Sequence, residues 1–144
     1  MTPAATRFLL WLCLFGLLPA AGCGPGEPFD YIQASGRITY EDGEPIPIDP
    51  LVLTFYPQSE AIDAKTHPRP GMVVASLDDG TFDEITSHRA GDGLVRGVHK
   101  VTLTDLNGQP LDEKWVPRDY SLPESTPLEV DTATEPFHLK VRRP

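Results

Sequence analysis

Cysteine is nearly missing from this chain: only Cys13 and Cys23 occur in 144 residues, so no disulfide-stapled scaffold is open to it. Positive charge is scarce as well, with 12 Lys and Arg against 21 Asp and Glu and a net charge of −9. Such a surface repels phosphates and anionic headgroups, and the one basic pair, Arg142-Arg143, does not make a stripe. Nucleic acid is therefore not an expected partner. Acidity alone selects no partner, and solubility is sufficient reason for it. Helical periodicity is absent too. After residue 22 no stretch carries an apolar 3.6-residue period over three turns without a Pro or Gly inside it. Helix is at most a minor component.

Catalytic and metal signatures are missing in the same way. His67, His88, His99 and His138 show no H-x-H or H-x-E-x-x-H spacing, so no zinc centre is expected. His99 reads instead as a core histidine with one ring nitrogen satisfied. The carboxylates Asp78-Asp79, Asp83-Glu84 and Asp92 lack the D-x-[DN]-x-[DN]-G calcium loop, and Asp before Gly is accounted for by turn geometry. No G-x-S-x-G elbow is present. No cofactor and no enzymatic activity are expected.

What the chain does have is 16 prolines, 12 glycines and repeated two-residue alternation. Ile32, Ala34, Gly36, Ile38 and Tyr40 put apolar or small groups on one face, predicting one half-buried strand from Tyr31 to Tyr40. Leu51 to Tyr56 predicts a second strand, apolar on both faces and stopped by Pro57. Met72–Leu77 and Thr81–Thr86 flank Asp78-Asp79-Gly80, a hairpin signal. Val98–Thr104 alternates, with His99, Val101 and Leu103 sharing a face. Lys114–Thr126 reads as an irregular crossover that packs Trp115 and Tyr120 onto the core, and Leu128–Asp131 as a short strand. Phe137, Leu139 and Val141 alternate with His138, Lys140 and Arg142, giving a last strand with a basic solvent face. Six or seven short strands separated by turn signals predict an all-β sandwich.

The N-terminus has its own order. Met1–Arg7 is short and basic, Phe8–Leu18 runs eleven residues without a charge, and Pro19-Ala20-Ala21-Gly22-Cys23 brings small residues. That succession is an export signal. A retained anchor helix would need about 20 apolar residues, more than this run supplies. Leu18-Pro19-Ala20-Ala21-Gly22-Cys23 resembles the bacterial lipobox, with Ala20 where leucine is commoner. The resemblance implies a diacylglyceride on the Cys23 thiol and cleavage between Gly22 and Cys23. The alternative, an ordinary secretory signal, would leave a free thiol. Once residues 1–22 are removed, Cys23 is the one remaining cysteine and lipidation explains it.

A second resemblance covers most of residues 35 to 141. Ser35–Ile46 (SGRITYEDGEPI), Leu77–Phe82 (LDDGTF) and Gly97–Leu103 (GVHKVTL) resemble the opening strand and turn, the hairpin and a later strand of carboxypeptidase regulatory-like, transthyretin-like domains. Val116–Tyr120, Ser125–Leu128 and Phe137–Leu139 resemble the closing motifs of the small planctomycete lipoproteins of that type. Arg96 stands where those domains have Pro, and His99 where they have an aromatic. The resemblance implies a seven-stranded prealbumin-like β-sandwich, usually an accessory or structural module. The tail from Leu139 to Pro144 does not match that of the superfamily's hydroxyisourate hydrolases.

The expected organisation is a signal peptide over 1–22, a lipidated cysteine and tether over 23–30, and a β-sandwich over 31–144. The expected function is a lipid-anchored cell-envelope module, non-catalytic, structural or protein-binding. Its partners would be the membrane, through the lipid, and an envelope protein or glycan. Gly24 in place of a retention aspartate favours the outer membrane by analogy. The alternative is a surface carbohydrate or ligand binder using an aromatic platform of Tyr56, Trp115 and Tyr120, for which core packing is the competing explanation.

Overall fold

Proline and glycine set the lengths of the elements. In a computed structural model of the chain the described residues are 26–144, and they hold nine short strands and two single-turn 3-10 helices. The expected signal segment, the expected cleavage position between Gly22 and Cys23 and the expected lipid site Cys23 lie outside the described residues. The strands are β1 (Tyr31–Ile32), β2 (Gly36–Tyr40), β3 (Leu51–Pro57), β4 (Gly71–Ala75), β5 (Thr81–Phe82), β6 (Leu94–Val95), β7 (Val98–Thr104), β8 (Glu129–Asp131) and β9 (Phe137–Val141). The 3-10 turns cover Arg118–Ser121 and Thr132–Thr134.

Three sheets result: β5-β2-β9, β4-β3-β7-β8, and a separate β1-β6 ribbon. β3 and β7 form the centre of the four-stranded sheet, paired antiparallel from Val52↔Thr104 to Pro57↔His99. Pro57 lacks an N–H, yet Gln58 N still donates to Val98 O at 2.9 Å. β2 and β9 pair in parallel from Gly36↔Phe137 to Tyr40↔Val141, joining segments far apart in the chain. Gly36 is required at that junction, because a Cβ there would lie 2.7 Å from both the Phe137 carbonyl oxygen and Phe82 Cζ.

The two larger sheets face each other across one core. Ile38, Tyr40, Phe82, Phe137 and Leu139 meet Leu53, Phe55, Val101 and Leu103 there. Phe55 is the central ring, with centroids 5.9 Å from Phe82 and 6.0 Å from Phe137. Each such side chain taken out of water stabilises by about 1.5–3 kcal/mol. The molecule is all-β and sandwich-like, as the alternation predicts. β3, β7, β8 and β9 fall close to their expected places, and Phe137, Leu139 and Val141 are buried while His138 and Lys140 are exposed.

Three expectations are revised. The single strand from Tyr31 to Tyr40 is two: β1 joins β6, and β2 joins β5 and β9, with the chain changing partners over residues 33–35. The Asp78-Asp79-Gly80 turn reverses the chain as expected, and Met72 and Thr86 bridge antiparallel across it, but the two segments do not form a continuous ladder within one sheet. Ser76 N donates to Thr81 O at 2.8 Å, but β4 then belongs to the four-stranded sheet and β5 to the three-stranded one. Gly80 permits this: at φ +74° it lies against Ile38, whose N–H donates to its carbonyl at 2.9 Å, leaving no room for a side chain. Trp115 is not a core residue, being 38 % exposed, and Val116 takes the inward position beside it. Two residues of the expected tether contact the β unit. Glu27 pairs with Arg89 at 2.9 Å, and Asp30 pairs with Arg96 while its carbonyl accepts from Arg96 N.

Candidate functional site

The outer face of the three-stranded sheet gathers cations. Side chains alternate across a strand, so Arg37 and Thr39 on β2 share that face with His138 and Lys140 on β9. The register places Arg37 beside His138 and Thr39 beside Lys140. Arg37 Nε donates to the Asp79 carbonyl at 2.6 Å, and Lys140 Nζ donates to Thr39 Oγ1 at 2.9 Å. Among the described residues neither Arg37, His138 nor Lys140 forms an ion pair with a carboxylate. By contrast Arg89, Arg96, Lys100, Lys114, Arg118, Arg142 and Arg143 each do. Among the described residues this is the sheet face whose exposed basic side chains form no ion pair, in a chain of net charge −9.

A groove of about 590 Å³ opens beside this face, lined by Arg37, His138, Ser35, Asp83, Phe82 and Phe137 among others. A smaller hollow of about 180 Å³ lies over Thr39 and Lys140. The basic face of the last strand is legible in the alternation of residues 137–142. That Arg37 joins it is not, because the parallel pairing of β2 with β9 has no local signal.

The three aromatic residues do not form a platform. Tyr120 is 3 % exposed, and its hydroxyl accepts a hydrogen bond from Arg142 N at 3.0 Å. Its ring therefore offers no face to a ligand, and burial of the large apolar ring is the reason. Trp115 is exposed, with Lys114 Nζ 5.6 Å from its ring, while its carbonyl accepts from Tyr40 Oη at 2.8 Å. Tyr56 sits at the end of β3 opposite Lys100, partly exposed.

His99 is fully buried at the start of β7, with Nδ1 3.1 Å from the Gly97 carbonyl and Nε2 without a partner. Burial pushes its imidazole below its ordinary value, outweighing the Gly97 hydrogen bond and the nearby Asp131. Two carboxylates of the acidic clusters, Asp79 and Asp92, are occupied by turns. Asp79 accepts from Thr81 N at 3.0 Å, and this bond and the Thr81 hydroxyl hold it below its ordinary value. Asp92 accepts from the backbone N–H of Ser87, His88 and Arg89 at 2.8–3.0 Å. Desolvation raises it, but these donors together keep it below the usual carboxylate range. Among the described residues no three His, Cys, Asp or Glu side chains are grouped to hold a metal ion, and no helix is long and apolar enough to cross a membrane. Comparison with known proteins yields no matching family model, curated protein or solved structure.

Proposed function

We propose that this chain is a lipid-anchored module of the bacterial cell envelope, non-catalytic and serving as a structural or protein-binding domain. The observation that carries the reading is the Leu18–Cys23 stretch, which ends only a few residues ahead of the all-β unit. Two acyl chains on Cys23, each buried methylene contributing about 0.8 kcal/mol, suffice for stable anchoring. Glu27, held by Arg89, is four residues beyond Cys23, a span of at most about 14 Å. The domain then rides close to the membrane surface, the outer membrane by the Gly24 analogy.

We assign the β-sandwich to the prealbumin-like, carboxypeptidase regulatory-like type. Supporting this are a three-stranded and a four-stranded sheet over one core, with the first long strand parallel to the last. In this reading those two sheets supply the seven strands, and the β1-β6 ribbon is an addition.

The test is metabolic labelling with palmitate in a bacterial host. Wild type incorporates label and fractionates with membranes, whereas Cys23→Ser does neither. Equal labelling of the two would sink the anchor.

A further inference from the structure

β9 is the last strand of its sheet, and one side of it pairs with nothing. The ladder shows which groups face that side. Phe137 N donates to Ser35 O at 2.9 Å, and Val141 O accepts from Glu41 N at 3.0 Å. In a parallel ladder this makes Phe137, Leu139 and Val141 the residues bonded to β2, so the N–H and C=O of His138 and Lys140 point outward. Among the described residues none of these four groups has a hydrogen-bond partner. The window is bounded. Pro136 has no N–H to offer at one end, and at the other Arg142 N is taken by Tyr120 Oη at 3.0 Å.

The other edges differ. On β4, Met72 N donates to Thr86 O at 2.8 Å, and Ser76 N and O bond Thr81 and Gly80. On β8 the Asp131 carbonyl accepts from Thr134 Oγ1 at 2.8 Å. Among the described residues β9 alone keeps two successive outward residues with every backbone group open, and the exposed His138 and Lys140 side chains there form no ion pair.

We propose that β9 is a strand-addition site for an extended segment of another protein in which acidic residues alternate with apolar ones. The incoming backbone would pair with His138 and Lys140. Cross-strand neighbours lie about 4.5–5.5 Å apart, so carboxylates at alternate positions would stand beside the His138 and Lys140 side chains. The apolar positions between them would fall on the inner side, level with buried Leu139. Lysine on an edge discourages indiscriminate pairing; here it also selects the sign of the partner. The inference rests on the protein-binding reading above, and it names that partner's chemistry.

The experiment is an amide NMR titration of the full chain in a non-ionic detergent with two five-residue capped peptides, alternating Glu/Val and Lys/Val. The Glu/Val peptide is expected to give saturable shifts centred on the His138 and Lys140 amides, and the Lys/Val peptide none. Lys140→Glu should weaken the binding at least tenfold. His138→Pro, which removes an outward N–H without touching the β2 ladder, should weaken it with dispersed spectra retained. Equal binding of both peptides, no binding of either, or shifts mapping to β4 would each overturn the proposal. So would concentration-dependent broadening at β9 without peptide, which would assign the edge to a second copy. Palmitate labelling of wild type is read separately, so loss of the anchor and loss of the strand site are distinguishable.

Discussion

His99 shows what one buried side chain imposes on the whole. It is 0 % exposed, with one ring nitrogen on the Gly97 carbonyl and the other unpartnered. Charging it inside the core is unfavourable, so its folded value lies below the unfolded value of about 6.5. The unfolded chain then binds the extra proton first, and stability is complete above that pH and falls as the pH drops toward the folded value. The slope from this group is at most about 1.4 kcal/mol per pH unit. Urea unfolding between pH 7.5 and 5 should show this loss in wild type and a flatter profile in His99→Leu; identical slopes would refute the assignment. The residue's inward position was legible in the alternation of 98–104. That its Nε2 is orphaned was not, because the atoms above it come from other parts of the chain. Asp92 is the opposite case, since its role depends on a loop that folds three N–H groups onto one carboxylate.

At the scale of elements, the crossover after β7 matters most. Arg118–Ser121 is a single turn with little cohesion of its own, held by Tyr120 in the core and by its hydroxyl on Arg142 N. Tyr120→Phe leaves that N–H without a partner and should cost about 1 kcal/mol. Tyr120→Ala also removes the ring and should cost about 3–5 kcal/mol. Both are measured by equilibrium denaturation, and a Tyr120→Ala loss near that of Tyr120→Phe would mean the ring is not a core element. The sequence identified the crossover as irregular but assigned Trp115 to the interior with Tyr120. Both are large aromatics, and nothing local says that Val116 rather than Trp115 faces inward. The Asp-Gly signal at residues 79–80 marked the turn and the antiparallel contact across it, but not that its flanking strands join different sheets. Turn chemistry specifies a chain reversal, whereas the partner of each flanking strand depends on where Phe82 and Ala75 find the core.

For the whole molecule, charge is the broadest determinant. Twenty-one acidic against 12 basic side chains make the surface unfavourable to polyanions, and the cations of β2 and β9 occupy one sheet face only. The full chain in detergent should leave a duplex DNA fragment unshifted in a mobility assay at 50 mM salt; a shift abolished by higher salt would show that local basic charge outweighs the net. The all-β class, the short strands and the buried faces of β3, β7 and β9 follow from the sequence alone, since they are set by two-residue periodicity and by where proline and glycine interrupt pairing. The proposal of Cys23 as a lipid site rests on sequence too, being read from the residues that precede it. The tertiary structure alone decided that β2 lies parallel to β9, that Arg37 therefore stands beside His138, and that one edge of β9 is left open. Those are pairings between residues about a hundred positions apart, chosen by the fit of Gly36 against Phe137 and Phe82, and no local pattern encodes them.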